Sequence, residues 1–294
     1  MAIPQPMRGP VAGLWHCYLI RLFCGLALLG VSFLTQAANY TLAVVPQASP
    51  ADTYRRWAPF AEQLQRATGH HLQLRVYRTF DEFETDLVNG HVDFAYMNPY
   101  HFLMARKAQG YLPLVRDGSR LLSGQLLVRR DSPVQSIKDL DGKVIAFPDP
   151  NAFAASLYMR ALLQEKVKIR FTPSYYGTHG NVYRHVILGD VAAGAGVNVT
   201  FARERAEIRD ELRVLYETPG TAPHPLCAHP RIPAELREDV TRAVLELDKN
   251  ENGRNLLRRT DILQPVRASY ARDYRPLEKL DLKKFAVQTK LSAK

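Results

Sequence analysis

Apolar and polar positions along this chain alternate between two periods, and the switches between them mark out its elements. From Tyr40 to Val45 the chain is almost unbroken β-favouring apolar sequence and stops at Pro46, the profile of a buried strand. Ser49-Pro50-Ala51-Asp52 then supplies a serine N-cap, a proline at the first helical position and an early acid, which predicts a helix start. Trp57, Phe60, Ala61, Leu64 and Ala67 recur at helical spacing up to the stop at Gly69. A strand over Leu72 to Tyr77 follows, and then a capping box at Thr79-Phe80-Asp81-Glu82 opens a helix running through Leu87. A short buried strand over Val92 to Tyr96 and a helix opened by Pro99 complete a β-α-β-α-β-α run. That order predicts a mainly parallel sheet with helices on both faces.

The segment Leu121 to Arg129 reads as one long strand, and beyond it the rhythm restarts. Ser136-Ile137-Lys138-Asp139 caps a short turn, Lys143 to Phe147 reads as a strand and Ala152 to Lys166 as a helix. Strands are predicted over Ile169 to Tyr175, Val191 to Val197 and Leu212 to Tyr216, with a helix over His179 to Leu188. Pro219, Pro223, Pro225 and Pro230 then punctuate an extended segment before helices at Pro233 to Leu247 and Gly253 to Arg258. Two consecutive α/β units joined by a long strand, with helices left over at the end, predict two lobes between which the chain crosses twice. The cleft between them is then the binding site. The expected divisions are 38–125 for the first part of lobe 1, 126–220 for lobe 2, 221–272 for the return to lobe 1, and a frayed basic tail over 273–294.

Composition refines this picture without changing it. At 46% hydrophobic and 23% charged, the 294 residues can bury one large core or two medium ones. Arg8 and Arg21 precede an apolar run from Leu22 to Leu34 that ends in Thr35-Gln36-Ala37, the grammar of a cleavable export signal over 1–37 and too short for a bilayer span. Arg21, Leu22 and Phe23 do not make a lipobox before Cys24. Export removes Cys17 and Cys24, so Cys227 is the lone thiol of the mature chain and no disulfide is expected. The net charge of +10 is spread among acids, as in Arg203-Glu204-Arg205-Ala206-Glu207, without the aromatic stacking motifs of nucleic-acid binders, so nucleic acid is excluded as a partner.

Several segments in order carry a resemblance: Val45-Pro46 with Trp57-Ala58-Pro59-Phe60, Asn89-Gly90-His91-Val92-Asp93-Phe94-Ala95, Asn98-Pro99-Tyr100, Val128-Arg129-Arg130-Asp131-Ser132-Pro133 running into Asp139-Leu140-Asp141-Gly142-Lys143, Asp149-Pro150-Asn151, and Thr178-His179-Gly180-Asn181. Over about Tyr40 to Tyr274 the chain resembles the phosphate/phosphite/phosphonate-binding proteins of ABC transporters. The resemblance implies an α/β, two-lobe periplasmic binding fold of type 2, a periplasmic location, a monomer, an inner-membrane permease as partner, and no cofactor or catalysis. Helix N-termini at Ser49, Asn98, Asn151 and Thr178 then face an anion. Where the family presents Ser-Thr-Ser-Gly, this chain reads Ala152-Phe153-Ala154-Ala155 and offers no hydroxyls. Where aminophosphonate binders place acids, near Val199 and His224, this chain has none, which argues against a ligand amine.

The ligand-binding residues expected on these grounds are Tyr54, Tyr96, Met97, Asn98, Tyr100, Asn151, Ala152, Phe153, Thr178, His179 and His224, with Phe153 narrowing the pocket. Three other readings stay open. The same closure can report to a sensor kinase; His224, Cys227 and His229 can hold a soft metal or metalloid; and Cys227 with His179 or His224 can form a secreted cysteine-dependent enzyme. The sequence lacks a G-x-S-x-G elbow, an H-E-x-x-H pair and a Walker loop, and Gly194-Ala195-Gly196 lacks a third glycine.

Overall fold

The β-α rhythm yields two separate sheets, but each is mixed rather than mainly parallel as expected: among the described residues, two of the five strand pairings in the first and two of the four in the second are parallel, because the return strands and the crossing strands add antiparallel neighbours. The sheets are seen in a computed structural model that describes Met1, Ala2 and residues 38–287, so the export signal read over 1–37 and the tail beyond 287 lie outside the described residues. In lobe 1, β1 (Asn39–Val44) is flanked in parallel by β2 (His71–Arg75) and β3 (Phe94–Tyr96). Helices α1 (Pro50–Thr68), α2 (Phe80–Val88) and α3 (Pro99–Gln109) make the connections. Each starts as its sequence predicts: Ser49, Thr79 and Asn98 accept from the backbone N–H groups of Asp52, Glu82 and His101.

Three strands of this sheet were not foreseen. β4 (Leu112–Asp117) follows α3 directly, β10 (Pro225–Ala228) lies between β3 and β4 and is antiparallel to both, and β11 (Pro265–Arg267) edges β4. β10 escapes a strand reading because prolines surround it. Its Cα register shifts between Leu226 and Cys227, where it pairs with β4.

Lobe 2 is built on β5 (Gly124–Arg129), β6 (Val144–Phe147), β7 (Thr172–Tyr175), β8 (Ala193–Val197) and β9 (Leu212–Glu217), in the order β7-β6-β8-β5-β9. β6, β7 and β8 run parallel, while β5 is antiparallel to both β8 and β9. The long strand expected from Leu121 is two pieces. Leu122 forms an isolated antiparallel bridge with Thr221, so the two crossings between lobes lie side by side, and β5 starts only at Gly124. Helix α4 is π-wound at both ends (Phe153–Tyr158 and Leu162–Val167) around a short α-helical centre (Met159–Ala161). Helix α5 spans His179–Leu188, and two five-residue helices, α6 (Asn198–Ala202) and α7 (Ala206–Asp210), precede β9. Helices α8 (Ala234–Glu246) and α9 (Glu251–Thr260) return to lobe 1.

Over its described residues, up to 287, the segment expected to fray is folded. Tyr270–Tyr274, Arg275–Leu280 and Leu282–Phe285 form successive helical turns, and Tyr274 is fully buried with its ring 4.9 Å from that of Phe102. The basic residues mislead here because Tyr274, Leu282 and Phe285, spaced between them, supply an apolar face that packs on the core.

Two glycines set the approach of the elements that carry the site. A Cβ at Gly196 on β8 would lie 2.2 Å from the Tyr183 hydroxyl, so α5 sits directly on that strand. A Cβ at Gly124 would lie 2.1 Å from the Ala154 carbonyl, so the start of α4 presses on the start of β5. The Gly194-Ala195-Gly196 run thus serves close packing. Gly196→Ala is expected to displace Tyr183 and destabilise the fold by about 1–3 kcal/mol, the usual cost of overpacking; an unchanged midpoint in thermal or urea unfolding would contradict this tight seat for α5.

Candidate functional site

Open α/β sheets bind ligands beyond the carboxyl ends of their strands. Four such ends meet here: Val45 and Gln47 follow β1, Asn98 follows β3, Ala152 to Ala155 follow β6, and Val197 closes β8. Phe80, His179 and His224 complete the wall of a cavity that leaves room for about 10 Å³ of water centres, space for about one water molecule. Phe153, almost fully buried, and the three alanines around it fill the rest.

Helices α2, α3, α4 and α5 all begin at this cavity, with Phe80, Asn98, Ala152 and His179 at or beside their first turns. First-turn amides have no intrahelical acceptor, and the macrodipole places partial positive charge at the same ends. The wall is mostly apolar, with seven such residues against the four polar side chains of Gln47, Asn98, His179 and His224; it contains no lysine or arginine, so its polar attraction comes from those side chains and from first-turn amides left free by the caps.

The two wall histidines stay neutral. Burial, with Arg203 adding to it, pushes His179 down to about 3, and burial, with His101, His179 and Arg203 adding to it, does the same to His224. His224 stacks on Tyr96 at 5.4 Å, and the Gln47 amide nitrogen lies 3.3 Å from its Nε2. With that amide as donor, the ring proton sits on Nδ1. His179 opens α5 behind the Thr178 cap, and its Nδ1 is buried without a hydrogen-bond partner.

A polar network lies against the wall and joins the lobes. Glu84 accepts from His101 Nε2 at 2.8 Å and from Asn151 Nδ2 at 2.9 Å, while Asn98 Nδ2 donates to the Asn151 carbonyl at 3.4 Å. Burial pushes the Asp149 carboxyl up to about 6, against the Asn151 N–H bond that favours its charged form, with Glu84 adding to the rise. A second link joins Arg203 of lobe 2 to Asp261, which also accepts from Arg56 at 2.8 Å.

Of the residues expected at the site, Asn98, Ala152, Phe153, His179 and His224 line the cavity. Tyr96 stands one layer back, behind His224, and Met97 is core. Thr178 caps α5 with its hydroxyl, and Asn151 turns its side chain into the interlobe network. Tyr100 is half-buried outside the wall, and Tyr54 is 56% exposed on α1. The wall residues not foreseen are Val45, Gln47, Phe80 and Val197, while Ala154 and Ala155 belong to the loop that the resemblance implies there. Gln47 was within reach of the strand-end rule, since it lies between β1 and the Ser49 cap, whereas Phe80 reads from sequence as an ordinary core position.

Cys227 is fully buried in β10, where burial pushes its thiol well up, while His229 packs on Tyr111 at 5.1 Å and His224 faces the cavity. Among the described residues no group of three or more His, Cys, Asp or Glu side chains is placed to hold a metal ion. The soft-metal reading finds no support because the three side chains are dispersed: the Cys227 thiol is buried in the lobe 1 core, His229 packs on Tyr111 and His224 lines the cavity. That burial leaves the cysteine-enzyme reading without a nucleophile, and the cavity wall has no serine, threonine or carboxylate to replace it.

Two α/β lobes joined by paired crossings, with strand ends and helix N-termini meeting between them, define the class of two-lobed periplasmic binding folds. The chain belongs to the family described as ABC transporter, phosphonate, periplasmic substrate-binding protein, whose model matches residues 42–274. It is 23% identical over 171 residues to the phosphate-import protein PhnD of Mycolicibacterium smegmatis, a match covering 52% of this chain and 53% of that protein; the chain thus spans about half the length of this relative. The binding component of an ABC phosphonate transporter from Pseudomonas aeruginosa superposes with a TM-score of 0.75 at 14% identity, over 84% of this chain and 86% of that one. PhnD1 of Prochlorococcus marinus, solved with methylphosphonate, gives 0.75 at 14% identity over 85% and 99%.

The buried groups give the fold a defined acid response. Between about pH 6.5 and 3 the unfolded chain takes up protons that folded His179 and His224 refuse, so stability falls as pH drops through this window. Asp149 acts oppositely: the folded chain keeps a proton that the unfolded chain releases between about pH 6 and 3.8, so this group adds stability as pH falls. His224→Asn is expected to flatten the acid side of a plot of unfolding free energy against pH by about 1.4 kcal/mol per pH unit, one proton's worth, and Asp149→Asn to steepen it. Parallel profiles for wild type and both variants would show that these groups titrate alike in the two states.

Proposed function

We propose that this chain is the periplasmic solute-binding component of an ABC importer, closing on a small anion or oxygen-rich neutral molecule and presenting the closed form to an inner-membrane permease. The convergence of four helix N-termini with two neutral histidines on one interlobe cavity carries this reading. Such a wall grips oxygen atoms through backbone and imidazole N–H groups without a cationic side chain. The relatives named for phosphate import and phosphonate transport support the oxyanion class. The export signal expected over residues 1–37 supports the compartment, and the single lobe pair supports action as a monomer. Two lobes contacted by one ligand make closure a hinge motion whose driving force is the ligand's contacts with both.

The altered loop sets the ligand apart from ordinary phosphonates. Each hydrogen bond to a charged group contributes about 1.5–3 kcal/mol, so the hydroxyls missing from Ala152-Phe153-Ala154-Ala155 are worth several decades of affinity for a tetrahedral oxyanion. Phe153 occupies space that a ligand would need.

A thermal-shift screen of the chain from Ala38 onward against phosphate, phosphite, methylphosphonate, sulfur oxyanions, arsenite and neutral polyols tests the reading. A true ligand at about 100 times its Kd adds about 2.7 kcal/mol of stability. No shift with any small anion or polyol would overturn it. The combined change Ala152→Ser, Phe153→Thr, Ala154→Ser and Ala155→Gly is expected to raise methylphosphonate affinity at least tenfold by titration calorimetry. Unchanged affinity in the folded variant would show that this loop does not face the ligand.

A further inference from the structure

We propose that the carboxyl-terminal segment is a clasp, in which Leu282–Val287 grips the start of α4 and holds the lobes together in the absence of ligand. The proposal rests on the solute-binding reading only in that closing this cleft is what the protein does.

The segment is anchored in one lobe and fastened to the other. On the lobe 1 side, Tyr274 is fully buried against Phe102 of α3 and donates its hydroxyl proton to the Pro223 carbonyl at 2.9 Å. Asp273 beside it pairs with Arg116 of β4 at 3.1 Å. After a turn through Asp281, whose φ of 46° is left-handed, the chain reaches lobe 2. There the Asn151 side chain pairs with the Val287 backbone in both directions: Val287 N donates to Oδ1 at 3.0 Å, and Nδ2 donates to the Val287 carbonyl at 2.9 Å. Arg160 adds one guanidinium nitrogen shared at 2.7 Å between the carbonyls of Phe285 and Pro150. An exposed ion pair, Lys284 with Glu165, closes the edge.

Asn151 is the catch because its amide is held from both sides. The same Nδ2 that meets Val287 donates to Glu84 of lobe 1, and the residue is 5% exposed. Separating the lobes breaks the bond to Glu84, and carrying the strap away with lobe 1 strips partners from two buried polar side chains, Asn151 and Arg160. Buried donors without acceptors are costly, so these bonds favour the closed form. Asn151 directly precedes Ala152 and Phe153 of the cavity wall, so the clasp positions the loop without touching ligand.

The test needs no ligand, so its failure and the failure of the solute-binding reading are distinguishable. Small-angle X-ray scattering on the chain from Ala38 onward is expected to match the closed structure. Asn151→Leu is expected to enlarge the radius of gyration and to speed amide exchange over 283–287 at least tenfold. An already open wild type, or an unchanged scattering curve in a folded Asn151→Leu chain, would overturn the clasp. If that variant does not fold, the surface pair decides: Glu165→Lys and Lys284→Glu should each speed exchange over 283–287 a few-fold, and the double swap should restore it. Singles that exchange like wild type would likewise end the proposal.

Discussion

Helix α4 belongs to two cores at once, and the rest of the arrangement depends on it. Met159 and Leu163 pack with the sheet of lobe 2, whereas Phe153, Leu157, Tyr158, Ala161 and Leu162 join the apolar cluster of lobe 1. One helix facing two ways makes the interlobe boundary a continuous packed surface, and burial of apolar area at about 25 cal/mol per Å² supplies closure with a driving force of its own. The polar ties, from Asn151 to Glu84 and from Arg203 to Asp261, then fix the register of that surface. Opening exposes the lobe 1 face of α4, so the ligand's contribution adds to a contact the protein already makes.

The chemistry of the cavity follows from the same closeness. Because Ala154 can lie against Gly124, the first turn of α4 is held where its amides face the gap. Because Tyr183 can lie against Gly196, His179 is held opposite. Burial then strips both wall histidines of charge, leaving a mostly apolar wall whose polar groups are all neutral. A site of this kind discriminates by shape and donor placement more than by net charge.

The sequence made the lobes legible because their elements are local: caps at Ser49, Thr79, Asn98 and Thr178 each sit within three residues of the amide they bind. It concealed whatever depends on distant partners. β10 looked like a proline-rich crossing because its strand character comes from β3 and β4, not from its own residues. The sequence places Asn151 in the loop that borders the cavity, but not the bonds from its side chain to Glu84 and Val287, both remote in the chain. The tail looked loose because charge outnumbers the few apolar residues that dock it. Phe80 and Val197 reached the wall through the meeting of two lobes, which no local pattern encodes.

The position of β10 also governs the order in which the molecule can be assembled. The strand that fills the middle of the lobe 1 sheet, pairing Leu226 with Tyr96, lies in the chain beyond the whole of lobe 2. A nascent or translocating polypeptide that has released residues 38–220 therefore owns a complete second sheet but only a split first one, with β3 and β4 presenting unpaired edges. Long-range closures of this sort are slow, and they keep the earlier half unfinished until its last central strand arrives. That delay leaves the first sheet open until the return crossing has been made.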